Sequence, residues 1–168
     1  AFGLLCTVGE QTDAGIFNAV ALLHQIRAHV RKVHQHSCGT VDIGTGVHKA
    51  GKAAALGKLA AEKGIALSLH APYYISMSSV EEEKRIKSVD YILQSARAVN
   101  AMGGNRIVVH TGSCGKISRE EALSLAIDTM KLAINALDAE GLGGIRVCPE
   151  TMGKVNQLGT LDEVLALC

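Results

Sequence analysis

Tryptophan is absent, aromatic residues make up only 3% of the chain, and two prolines occur in 168 residues. An interior without large rings has to be built from Ala, Val, Ile and Leu, and the scarcity of proline excludes a Pro-rich linker. No stretch approaches the ~20 apolar residues of a membrane span. No basic segment leads into an apolar run at the N-terminus, so neither a secretory signal nor a membrane anchor is expected and a cytoplasmic protein is the default. The five cysteines (Cys6, Cys38, Cys114, Cys148, Cys168) form no CxxC pair. Their odd number and wide spacing speak against a disulfide framework and a zinc ribbon, leaving reduced, small, buried residues as the expectation. No GxGxxG follows a first strand, which weakens a dinucleotide-binding reading. Net charge is only +1, so bulk charge does not announce a nucleic-acid binder, although a local basic rim would not show in the total.

What is present is 48% hydrophobic residues and eighteen glycines, enough for one domain with a sizeable core and many short turns. From residue 51 onward a pattern repeats. Gly51 to Lys63 reads as a helix stopped by Gly64, Ile65 to His70 as a strand, and Ser79 to Met102 as a long amphipathic helix ended by Gly103 and Gly104. Arg106 to His110 is a β-branched strand, Ser118 to Glu140 a helix, Ile145 to Cys148 a third strand, and Thr160 opens a last helix. Ser79 with Glu82, Ser118 with Glu121, and Thr160 with Glu163 each have the spacing of a capping box, in which side chains satisfy first-turn N–H groups. Glu81 to Arg85 reads as a solvated helix face with i,i+4 pairing of Glu81 and Arg85. Short apolar strands alternating with helices imply a parallel sheet covered on both faces, as a barrel or a doubly wound sheet. The first fifty residues are less patterned. Phe2 to Val8 and Val33 to Ile43 are candidate strands and Asp13 to Arg31 a candidate helix.

Chemistry concentrates at the strand ends. His70, His110 and Glu150 each close a strand, at equal intervals of forty residues. In a parallel α/β barrel the strand C-termini open on one face, where active sites sit. Two imidazoles and a carboxylate in one mouth can hold Zn²⁺ and leave a position for water. Mn²⁺ or Fe²⁺ suits the same donors. The competing reading of each is structural: a hydrogen-bonded strand-end histidine, or a carboxylate in a salt bridge. Periodicity alone leaves both open. His34 and His36 alternate along the candidate second strand and are a weaker metal-binding pair, while His24 and His29 fall on the candidate helix as surface residues. The Gly-rich turn from Thr111 to Lys116 lacks Walker A spacing. It is either a βα loop that needs glycine or a phosphate-contacting turn before a helix. Cys114 within it has no ordered histidine and carboxylate to make it a nucleophile.

The segments LSLHAPYYISMSS, RIVVHTGSCGKISREEAL and CPETMGKVNQLGTLDEVL resemble three successive signature regions of the endonuclease IV family. Its members are zinc-dependent apurinic/apyrimidinic (AP) endonucleases of the xylose isomerase-like superfamily. The resemblance covers residues 65–168, with residues 1–50 divergent apart from a hint of the family's opening at Ala1-Phe2-Gly3. It implies a single partial domain of the (β/α)8 TIM-barrel type, present as roughly the first five βα units. A whole barrel takes about 250 residues, and the later Asp, His and Glu ligands of the family are not in this sequence. The resemblance also assigns His70, His110 and Glu150 to one zinc site of a cluster that holds up to three ions in complete members, with Glu150 acting in catalysis and bridging to a second metal. Tyr73, Ser113, Lys116 and Lys154 are the implied substrate contacts, and double-stranded DNA with abasic sites is the implied partner in DNA repair. Alternatives are a metal-dependent sugar isomerase or epimerase of the same superfamily, or an inactive barrel fragment that self-associates through an exposed strand edge.

Overall fold

A computed structural model of the chain describes residues 5–8, 40–43 and 50–168. Five parallel strands lie in sequential order: β1 (Leu5–Val8), β2 (Thr40–Ile43), β3 (Ala66–His70), β4 (Arg106–Val109) and β5 (Arg146–Pro149). Helices α1 (Ala50–Glu62), α2 (Glu82–Ala101) and α3 (Arg119–Ala139) bridge successive strands, and α4 (Leu161–Leu167) follows β5. A doubly wound sheet reverses its strand order at a switch point, as in 3-2-1-4-5. An order that never reverses is that of a barrel wound in one sense, and this separates two architectures that have the same local sequence pattern. Consecutive helices pack on one another, α1 on α2, α2 on α3 and α3 on α4, as a continuous outer layer requires. The candidate helix Asp13 to Arg31 and the pair His34 and His36 lie outside the described residues, as do Cys6's side chain and Cys38.

The two sequence periodicities interlock to make the core. On α2 the buried positions Val89, Ile92, Ala96 and Val99 recur at helical spacing, and on α3 Ala122, Ala126, Met130, Ala133 and Leu137 do the same. They meet Leu67 and Leu69 of β3 and Ile107 and Val109 of β4 in one apolar cluster. Strand side chains alternate between faces, so the intervening residues, Ser68 and Val108, belong to the opposite face. His70, at the end of β3, and His110 and Glu150, just past β4 and β5, continue that opposite face. Register sets their height: His70 pairs with Val108, two residues short of His110, and Val109 pairs with Pro149, immediately before Glu150. Such stagger between neighbours is the shear of a closing sheet. In the described sheet β1 and β5 have a partner on one side each, and the expectation of self-association rests on those edges.

Two of the three expected capping boxes are formed, at Ser118 with Glu121 and at Thr160 with Glu163. The third is not. α2 begins at Glu82, its N-cap is Glu81, and no side chain caps it. Ser79 Oγ instead accepts from Glu81 N at 3.2 Å, a local turn that competes with the cap. The preceding loop is also committed elsewhere, since Met77 O accepts from Thr129 Oγ1 and Ser78 Oγ donates to Ser113 O. The expected Glu81–Arg85 pair is likewise replaced. Lys84 pairs with Glu81 at 2.6 Å, and Arg85 Nη1 donates to the carbonyls of Ser79 and Val80. The cysteines described are reduced, but Cys114 and Cys148 are half-buried and Cys168 is exposed, so full burial does not hold for them. No helix among the described residues is long and apolar enough to cross a membrane.

Losing a formed cap costs about 1 kcal/mol, whereas a surface residue without that role changes stability by about 0.5 kcal/mol or less. Urea unfolding of Ser118→Ala should therefore show the larger loss and Ser79→Ala the smaller. The reverse order would place the start of α2 two residues earlier than described.

Candidate metal centre

The three strand-end residues converge. His70 Nε2 lies 2.9 Å and His110 Nε2 2.8 Å from the same oxygen, Oε2 of Glu150. The two imidazoles stand edge to face with ring centroids 5.0 Å apart. One donor atom from each of the three residues falls within 4.8 Å of the others, and the described residues contain no other such group of His, Cys, Asp or Glu. All three are half-buried, with side-chain exposures of 17%, 21% and 38% for His70, His110 and Glu150.

The donor set suits a cation. His70 Nδ1 is 2.7 Å from Ala71 O, a contact that needs a hydrogen on Nδ1. The neutral ring then presents a bare lone pair at Nε2, and that atom faces a carboxylate oxygen. Two acceptors at 2.9 Å are stabilised only by something positive between them, a second proton on the ring or a metal ion. A backbone carbonyl fixing the tautomer and orientation of a ligating histidine is the usual support of such sites. Backbone ties hold the chain at these positions: Ala71 N donates to Val108 O and Glu150 N to Val109 O.

The other candidate residues lie on the loops at the same end of the sheet. Tyr73 follows β3 and is 75% exposed. It stands edge-on to Tyr74, which stands edge-on to Tyr91 of α2. Ser113 is exposed and forms an antiparallel bridge with Gln157, and its carbonyl accepts from Ser78 Oγ. Lys116 and Lys154 are exposed on the loops after β4 and β5. The turn at Gly112 requires glycine, because its φ is +118° and a β-carbon would collide with Ser78. Gly159, at φ +140°, would bring a β-carbon to 2.6 Å from Met152 N.

Sequence reasoning missed Arg119 and the second role of Glu163. The capping-box spacing marked Glu163 as a first-turn carboxylate. Beyond the capping-box bond from Thr160 N, the buried carboxylate receives Nε and Nη2 of Arg119 and the N–H group of Gly159. Only a three-dimensional neighbour, 44 positions away, reveals that use.

A family model described as a xylose isomerase-like TIM barrel matches residues 30–168. The chain belongs to that family. Among curated relatives, an uncharacterized protein of Methanocaldococcus jannaschii is 36% identical over 104 residues, 62% of this chain and 37% of the relative. A probable endonuclease 4 of Acholeplasma laidlawii is 33% identical over 111 residues, 63% of this chain and 37% of the relative. The chain thus spans little more than a third of the length of these relatives. Solved structures share the fold: L-ribulose 3-epimerase at TM-score 0.72 and 13% identity, over 98% of this chain and 55% of that one. Endonuclease IV from Thermus thermophilus aligns at TM-score 0.59 and 17% identity, over 98% and 57%. The resemblance to endonuclease IV and the partial-barrel fold are borne out.

Glu163 supplies a pH test. The Arg119 hydrogen bonds hold its carboxyl at about 2, well below the ordinary 4.5, against burial, which raises it; the Gly159 and Thr160 N–H groups add to the depression. A carboxyl depressed in the folded state adds stability that is present above its unfolded value and lost as pH falls through the folded one. Glu140, depressed by Arg97, acts in the same direction. Stability should therefore fall between pH 4.5 and pH 2, and Glu163→Gln should flatten that fall. Equal slopes in urea titrations of wild type and variant would remove Glu163 from the account.

Proposed function

We propose that the protein is an endonuclease IV-like AP endonuclease, a zinc-dependent phosphodiester hydrolase that acts in the cytoplasm on DNA containing abasic sites. The observation that carries this reading is the convergence of His70 and His110 on one oxygen of Glu150, within a chain that is 33% identical to a probable endonuclease 4 over 111 residues. His70, His110 and Glu150 would hold the ion, and Mn²⁺ or Fe²⁺ would suit them too. A bound zinc lowers the pKa of its water to about 7 and polarises a phosphoryl oxygen.

The chain's own residues have distinct parts in this reading. The carbonyl of Ala71 keeps His70 turned so that Nε2 faces Glu150. Glu150 has a second oxygen, with which it could draw a proton from an attacking water or bridge to another ion. Lys116, Lys154 and Ser113, exposed on loops around the mouth, would contact backbone phosphates, which dominate the affinity of duplex binding. The rings of Tyr73 and Tyr74, 75% and 47% exposed, offer apolar surface beside an extrahelical lesion.

A sugar epimerase is the second reading, since the same fold occurs in L-ribulose 3-epimerase, matched at 13% identity. One set of assays separates the two. The zinc-loaded chain should nick a duplex containing an abasic site, and His110→Ala and Glu150→Gln should return nicking to the rate without protein. Zinc binding without nicking of the duplex, together with epimerisation of a ketose at C3, would replace the nuclease reading by the epimerase one.

A further inference from the structure

The three residues reach the mouth from three neighbouring strands. His70 ends β3, which is paired on both sides, and His110 follows β4, also paired on both sides. Glu150 follows β5, whose partner in the described sheet is β4 alone. Its loop is held by other means. Cys114 N donates to Asn156 O at 2.9 Å, Leu158 N to Gly112 O at 3.0 Å, and the buried Thr111 Oγ1 to Leu158 O at 3.0 Å. These bonds join the loop after β5 to the loop after β4.

Across that seam lies Arg119, in the first turn of α3. Its Nε and Nη2 donate to the two oxygens of Glu163, Nη1 donates to Val155 O at 2.8 Å, and Nη2 to Gln157 O at 2.9 Å. Glu163 in turn accepts from Gly159 N at 2.8 Å and Thr160 N at 2.9 Å. One guanidinium and one carboxylate therefore fix five points of the segment from Val155 to Glu163, as the planar, forked geometry of arginine permits and a lysine ammonium does not. We infer that Arg119 and Glu163 are positioning residues for the metal centre: they pin the loop that carries Glu150 to the start of α3, so that Glu150 stays between His70 and His110. Pre-ordering a ligand loop removes the ordering entropy otherwise paid on binding. The inference rests on the metal reading of the three residues.

A second bidentate pair provides the control. Arg97 of α2 donates through Nε and Nη2 to Glu140 at the end of α3, joining two helix C-termini, the opposite end of α3 from Arg119. The test is zinc affinity, measured by competition with a chromophoric chelator, for the wild-type chain and for Arg119→Gln, Arg119→Lys, Glu163→Gln and Arg97→Gln, each with its melting temperature. Residues that orient metal ligands change affinity by about 10- to 100-fold when replaced. Arg119→Gln and Glu163→Gln should weaken zinc binding by about tenfold, at the low end of that range, with Arg119→Lys recovering part of the loss. Arg97→Gln should stay within about twofold of wild type, since it breaks only a surface ion pair. Wild-type affinity in Arg119→Gln, or equal weakening in Arg97→Gln at a matched fall in melting temperature, would overturn the inference. Should Arg119→Gln not fold, wild-type affinity in Arg119→Lys would overturn it instead. A wild-type chain that binds no zinc would overturn the metal reading itself, a different result from zinc bound equally well by every variant.

Discussion

The mouth of this partial barrel depends on one oxygen atom. Oε2 of Glu150 is approached by His70 Nε2 at 2.9 Å and by His110 Nε2 at 2.8 Å, and each imidazole arrives from a different strand. With Nδ1 of His70 donating to Ala71 O, its Nε2 and the carboxylate oxygen share that space only when positive charge lies between them. This requirement fixes much of the local design. The strands must end at heights that bring residues 70, 110 and 150 together, which the two-residue offset between β3 and β4 achieves. The His70 ring must be turned, which the Ala71 carbonyl achieves.

Polar groups behind the three mouth residues are paired rather than left to solvent. Ser78, Thr111 and Thr129 are buried, and each donates to a backbone carbonyl of a different loop or helix. Buried hydroxyls without partners would each lose stability on the order of 1–3 kcal/mol, so these bonds both satisfy the side chains and fasten the loops. Among the described residues, Gln157 Oε1 is the one buried side-chain oxygen or nitrogen without a protein partner, and it sits on the seam between the loops after β4 and β5.

Much of this was legible in the sequence because it follows from periodicity. Their place at three successive strand ends, forty residues apart, put His70, His110 and Glu150 at one mouth, and the apolar faces of the helices marked them as packed on the sheet. What periodicity could not provide was strand order, since a barrel and a doubly wound sheet share the same alternation of strand and helix; the unreversed order of five strands decides it. The capping boxes show the same boundary. Ser118 and Thr160 cap their helices, but Ser79 does not, because its neighbours Met77 and Ser78 are engaged by Thr129 and by Ser113. Those partners lie 52 and 35 positions away, beyond any local signature.

Arg119 was illegible for a deeper reason. In sequence it is one of several charged residues at the start of a helix, where a basic side chain is mildly unfavourable beside the positive end of the helix dipole. Its position is sustained by Glu163, whose negative charge faces both the guanidinium and the N–H groups that lead into α4. A carboxylate at one helix N-terminus thus offsets the field at two. That arrangement needs the loops after β4 and β5 to lie side by side, and their adjacency follows from the pairing of β4 with β5. Sheet register therefore determines which charges meet outside the sheet as well as which side chains meet at its mouth.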